Sequence, residues 1–112
     1  MKRFCLALDL VDDAALIAEY ENWHKPGQQL PGIPESILAA GILQMEIYRT
    51  GNRLFMIMET IDDFDPAKKA SMDATNPAVE KKKKLMWKFQ QPLPWANEGE
   101  KWVPMTKIFQ LT

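Results

Sequence analysis

Large apolar residues fall at every second position in Phe4, Leu6, Leu8 and Leu10. A period of two places them on one face of a strand. Asp12 or Asp13 then supplies a helix N-cap, and Leu16, Ile17 and Tyr20 recur at helical spacing. The predicted helix runs from residue 14 to about 24 and ends before Pro26 and Gly27. Residues 25–33 hold two prolines and two glycines and read as a loop. Pro34 suits the first turn of a second, short helix over 35–40, with Gly41 just past its end. Residues 42–49 and 53–59 are strands around the turn Thr50-Gly51-Asn52, a hairpin. A third helical region starts at Pro66, breaks near Asn76-Pro77 and resumes to about residue 89. A long loop over 90–101 leads to a fourth strand over 102–111, entered through Pro104.

The order strand, helix, strand, strand, helix, strand predicts an α+β, ferredoxin-like βαββαβ fold. Helices cover one face of such a sheet and leave the other bare. The third strand carries apolar residues on both faces, Met56 and Met58 on one and Phe55 and Ile57 on the other. An apolar face needs cover from water, so two sheets packed face to face in a homodimer are expected.

The chain has 112 residues, enough for one domain over 1–112. A hydrophobic content of 46% with 26% charged residues is that of an ordinary globular protein. The net charge of -1 gives no reason to expect nucleic acid or an anionic membrane as a partner. The apolar stretch at 4–11 is broken by Asp9 and is too short for a signal segment or a membrane span, which points to a cytoplasmic protein. Cys5 is the only cysteine and reads as a small core residue. With one histidine and one cysteine at no ligand spacing, no metal site is expected.

That one histidine is His24, the only side chain whose unperturbed pKa lies near neutrality. Tyr20 precedes it by four residues, so on a helix the phenol and the imidazole share a face, with Trp23 beside them. A lone histidine at a helix end is more often a surface or core residue than a catalyst, so spacing alone assigns no role. Glu59, at the end of the third strand, is a candidate second acid or an orienting partner, and equally a partner for a surface lysine. Glu46 is a weaker candidate. The run Lys81 to Lys84 reads as a solvated helical face, and Trp95 and Trp102 as packing residues. Asp62, Asp63 and Asp65 read as helix caps.

Taken together, several residues resemble the L-rhamnose mutarotase family. They are Tyr20-x-x-x-His24 before a Pro-rich loop, Pro34-Glu35, Gly41, Ile47-Tyr48, Leu54-Phe55 with Glu59, Trp87-Lys88-Phe89 and Ile108-Phe109-Gln110-Leu111. The resemblance covers nearly the whole chain. It implies a dimeric α/β barrel that interconverts the anomers of a 6-deoxy-L-sugar without a cofactor. It assigns the catalytic role to His24, sugar contact to Tyr20, and a place in the site to Trp87. Two positions depart from the family pattern: Met86 stands where the first tryptophan of a tandem pair is expected, and Met45 where a sugar-contacting tyrosine is expected. A thioether accepts hydrogen bonds only weakly, so the hydroxyl pattern read here is expected to differ from that of L-rhamnose, with L-fucose the competitor. Dimeric barrels of this type also include haem and cofactor-free oxygenases and small ligand-binding modules, and fold alone does not choose among them.

Overall fold

The computed structural model describes residues 1–112. Its elements are β1 (Lys2–Leu10), α1 (Ala14–Trp23), α2 (Ile33–Ala39), β2 (Ile42–Thr50), β3 (Arg53–Thr60), α3 (Pro66–Ala74), α4 (Pro77–Trp87), β4 (Gln90–Gln91) and β5 (Val103–Pro104). The sheet order is β2-β3-β1-β4, with every pairing antiparallel and β5 also on β1. This is the ferredoxin-like arrangement with its fourth position shared between two short pieces. Gln90 and Gln91 pair with Leu10 and Asp9, while Val103 and Pro104 pair with Ala7 and Leu6.

The fourth strand is therefore much shorter than the expected 102–111. Pro104 has no N–H to give to a ladder, and the adjacent Ile108 and Phe109 break the period of two. The backbone N–H of Met105 makes one more bond to the Cys5 carbonyl at 2.8 Å. Beyond it the chain leaves the sheet, and Ile108, Phe109 and Leu111 are 93%, 75% and 84% exposed.

Side-chain alternation divides the sheet cleanly. Leu54, Met56, Met58 and Thr60 of β3 point to the helices, opposite Leu8, Leu6, Phe4 and Lys2 of β1. The helix side holds two packed groups. Leu10, Tyr20, Leu54, Met86 and Phe89 form one, under α1 and α4. Ile42, Met56, Met58 and Phe64 form the other, and Ile47 and Trp102 touch both. On the other face lie Cys5, Ala7, Asp9, Glu46, Tyr48, Phe55, Ile57 and Glu59. Cys5 is half-buried on this face, opposite Ile57, and is not a helix-side core residue.

Local signals explain the helix ends. The side chains of Asp13, Asp65 and Asn76 accept hydrogen bonds from the first-turn amides of α1, α3 and α4. Gly41 follows α2 at φ +92°, and a Cβ there would lie 2.9 Å from the Ile61 side chain, so only glycine fits the turn into β2.

Candidate active site

His24 occupies the C-cap of α1, where its backbone N–H bonds the Glu21 carbonyl at 3.0 Å. Its Nδ1 lies 2.8 Å from the Tyr20 carbonyl oxygen. A carbonyl only accepts, so Nδ1 carries the hydrogen and Nε2 is the acceptor of the neutral ring. The imidazole packs on the Tyr20 ring, with centroids 4.4 Å apart, and Tyr20 meets Phe89 edge-on at 5.9 Å. Tyr20 itself is buried. Burial pushes its phenol up to about 12, against the lowering effect of a hydrogen bond with the Gln90 side chain. The phenol thus stays protonated, and Tyr20 works as a fixed support beneath His24.

His24 opens onto a hollow of about 230 Å³, lined also by Trp23, Gln29, Leu30, Ile33, Lys82, Leu85 and Met86. Part of that space is open to solvent, so the hollow is a shallow recess rather than an enclosed cavity. The loop between α1 and α2 forms one wall. The Gln29 side-chain amide donates to the carbonyls of His24 and Lys25, both at 3.2 Å, which ties the loop to the end of α1. Helix α4 forms the opposite wall with Lys82, Leu85 and Met86.

Burial holds the His24 imidazolium below its ordinary pKa. The hydrogen bond to the Tyr20 carbonyl opposes this shift, and the positive charge of Lys82 adds to it. At neutral pH the ring is neutral and its Nε2 is a base. Burial, and secondarily the charge of Lys69, lowers the Lys82 ammonium. The hollow thus pairs a proton acceptor with a proton donor among apolar walls. This is equipment for moving protons on a bound molecule that also has an apolar edge.

Of the site residues expected from the resemblance, only His24 and Met86 line the hollow, and Trp23 lies beside His24 there. Tyr20 lies beneath it. Met45 is half-buried in the second packed group, against the sheet. Trp87 points outward, 65% exposed, with the Lys101 Nζ 4.0 Å from its ring centroid. Glu59 lies on the opposite sheet face, 3.4 Å from the Arg3 guanidinium. Glu46 is on that face too and accepts a hydrogen bond from the Tyr48 hydroxyl. Trp102 is a packing residue as expected, whereas Trp95 is exposed, 5.0 Å from the Arg53 guanidinium. The lysine run is solvated at Lys81, Lys83 and Lys84 but not at Lys82, which turns inward. Lys82 stands three and four residues before Leu85 and Met86, so helical spacing applied inside the run points to it. No three His, Cys, Asp or Glu side chains converge on a common point. No helix is long and apolar enough to cross a membrane.

The model of the L-rhamnose mutarotase family matches residues 3–111. The chain belongs to that family. It is an isomerase that interconverts sugar anomers. An L-fucose mutarotase from Xanthomonas campestris pv. campestris is 48% identical over 112 residues, covering 100% of this chain and 90% of the relative. A UPF0734 protein of Dictyostelium discoideum is 36% identical, over 98% of this chain and 90% of its own length. Among solved structures, an L-rhamnose mutarotase from Formosa agariphila superposes with a TM-score of 0.67 over 100% of both chains at 17% identity. The tetracenomycin F2 cyclase of Streptomyces glaucescens, a polyketide cyclase, gives 0.55 over 100% of both chains at 13% identity. At those identities the likeness is one of fold, and it places this mutarotase on a backbone shared with unrelated chemistry.

Proposed function

We propose that this mutarotase acts on 6-deoxy-L-hexoses, with L-fucose preferred over L-rhamnose, and that His24 is its acid/base. The observation that carries the reading is the fixing of Nδ1 on the Tyr20 carbonyl, which leaves a neutral Nε2 at the hollow. Nε2 takes the proton of the anomeric hydroxyl as the C1–O5 bond opens, and O5 takes a proton from a donor. Rotation about C1–C2 presents the other carbonyl face. Closure returns both protons and gives the other anomer. The C1–O5 bond breaks and re-forms within the sugar and both protons are returned, with no net oxidation and no group lost, so the chemistry needs no cofactor. General acid–base help of this kind is worth about 10²–10⁴-fold. Leu30, Ile33, Leu85 and Met86 offer the apolar wall that a C6 methyl requires. L-Fucose is favoured by the identity to the L-fucose mutarotase and by Met86 in the wall of the hollow, where the resemblance leads one to expect a tryptophan.

The catalytic unit is the whole of 1–112, acting as a cytoplasmic homodimer through the bare sheet face. A folded monomer of 12.9 kDa exposes about 6,300 Å². This chain exposes 7839 Å², about 1,500 Å² more than that expectation. A standard interface covers about 800 Å² per partner, so the excess is ample for one. The half-buried Phe55 and Ile57, the exposed Tyr48 and the apolar Ile108, Phe109 and Leu111 are the surface that a second copy would cover. A second, separate hollow borders Arg3, Glu59 and Lys107, which sets the start of the C-terminal segment at the edge of that face.

Saturation-transfer NMR of the anomeric protons tests the substrate. The protein should speed α/β exchange of L-fucose more than that of L-rhamnose. Faster exchange of L-rhamnose would reverse the assignment, and acceleration of neither sugar would remove it.

A further inference from the structure

We propose that Lys82 is the second proton-transfer group of the site, donating from its ammonium to the pyranose ring oxygen while His24 accepts from the anomeric hydroxyl. The inference rests on the mutarotase reading and names the donor that the reaction needs.

Four observations carry it. Lys82 and His24 line one hollow from opposite walls, α4 and the end of α1. Lys82 is the one member of the run 81–84 on the inward face of α4; its three neighbours are exposed. It forms no ion pair and no hydrogen bond, although other lysines find partners: Lys69 with Asp73, Lys88 with Glu19, Lys101 with Gln90 and Lys107 with Gln110. An ammonium held half-buried without an acceptor is costly, and such groups concentrate where a ligand supplies the missing contact. Finally, no carboxylic acid lines the hollow, so no other ionisable donor faces His24 there.

The ionisable surroundings are simple. From α1 the neighbour of Lys82 is His24. From α3 it is Lys69, itself paired with Asp73. The loop and α2 contribute Gln29, Leu30 and Ile33, none of which titrates. Burial and Lys69 both weaken the hold of Lys82 on its proton, which brings a lysine closer to the range useful in catalysis. The proton count closes. On opening, the anomeric O–H bond breaks and its proton goes to Nε2. The C1–O5 electron pair stays with O5, which takes a proton from Nζ. On closure the O5 proton returns to Nζ and the Nε2 proton goes to the carbonyl oxygen. Each group ends as it began.

Lys82→Met and Lys82→Arg separate the two things Lys82 can do, with Lys82→Gln as a second neutral variant should the first fold poorly. The readouts are anomer exchange on L-fucose and L-rhamnose, and an NMR pH titration of His24, unambiguous because the chain has one histidine. Lys82→Met should lower kcat by about 100-fold or more and move the His24 titration upward, since a positive neighbour has gone. Lys82→Arg keeps the charge and should leave the His24 titration near that of the wild type. It should still lose activity, because a guanidinium does not release its proton near neutrality. Lys82→Met or Lys82→Gln active to within about twofold of wild type would overturn the role of Lys82 alone, since the loss expected of a proton donor is about 10²–10⁴-fold. Full activity in Lys82→Arg would show that charge suffices and overturn proton donation. A wild type that accelerates neither sugar would overturn the mutarotase reading and the donor role with it.

Discussion

The two faces of the sheet are made by the same strands and solve opposite problems. On the helix side, Leu8, Leu54, Met56 and Phe89 are nearly or wholly removed from water. The polar groups admitted there, His24, Tyr20 and Lys82, sit at the margin where α1 and α4 leave a hollow. On the bare side, Asp9 is buried yet charged, answered by the Arg53 guanidinium at 2.7 and 3.2 Å, and Arg53 in turn lies under Trp95. Ion pairs and half-covered apolar residues finish that face. The comparison teaches that residue parity along β3 separates what holds the fold from what meets a neighbour: Leu54 belongs to the first task and Phe55, one position on, to the second.

The sharpest way to break that division is to truncate both neighbours. Leu54→Ala removes a side chain that is 2% exposed and should cost about 2–5 kcal/mol in urea unfolding. Phe55→Ala should cost clearly less at concentrations where the chain is monomeric, and equal losses would erase the distinction. Next in size, Ile57→Glu places a charge at the centre of the bare face. Sedimentation equilibrium should show dimer affinity falling at least ~10-fold, or about 1.4 kcal/mol, with mutarotation per folded chain little changed unless the partner completes the site. A smaller effect is expected at the wall of the hollow. Asn76→Ala removes the cap of α4 and should lower stability by about 1 kcal/mol.

The pH dependence is gentler still and has a defined sign. His24 is held below its ordinary pKa in the fold, so between the two pKa values the unfolded chain binds more protons. Stability should fall as pH drops through about 6.5, the unfolded value, and be flat with respect to this group above it. His24→Gln should flatten that slope in denaturant titrations at several pH values. An unchanged slope would place the source elsewhere.

The fold was legible because its signals are local. Period-two alternation in β1 and β3, Asp13 as a cap, the break at Asn76-Pro77 and Gly41 at a turn each act over a few residues. The fourth strand was not, because strand length depends on which edge donors find partners, and Pro104 with the adjacent Ile108 and Phe109 ends the pairing early. The site was half legible. His24 and Tyr20 announce themselves by an i, i+4 spacing, but that spacing does not say that Tyr20 props the imidazole from below. Trp87 and Met86 are sequence neighbours about 100° apart on α4, so only one of them can turn to the hollow, and it is Met86. Lys82 was hidden by its company, since a run of four lysines looks uniform until the helical period is applied within it.

The central claim is that His24 carries the proton transfer, and His24→Ala tests it most directly. Anomeric-proton saturation transfer with L-fucose, run on wild-type and variant protein at equal folded concentration, should show acceleration by the wild type and a loss of about 10²–10⁴-fold in the variant. Equal acceleration by both proteins would contradict the account and move the chemistry away from His24.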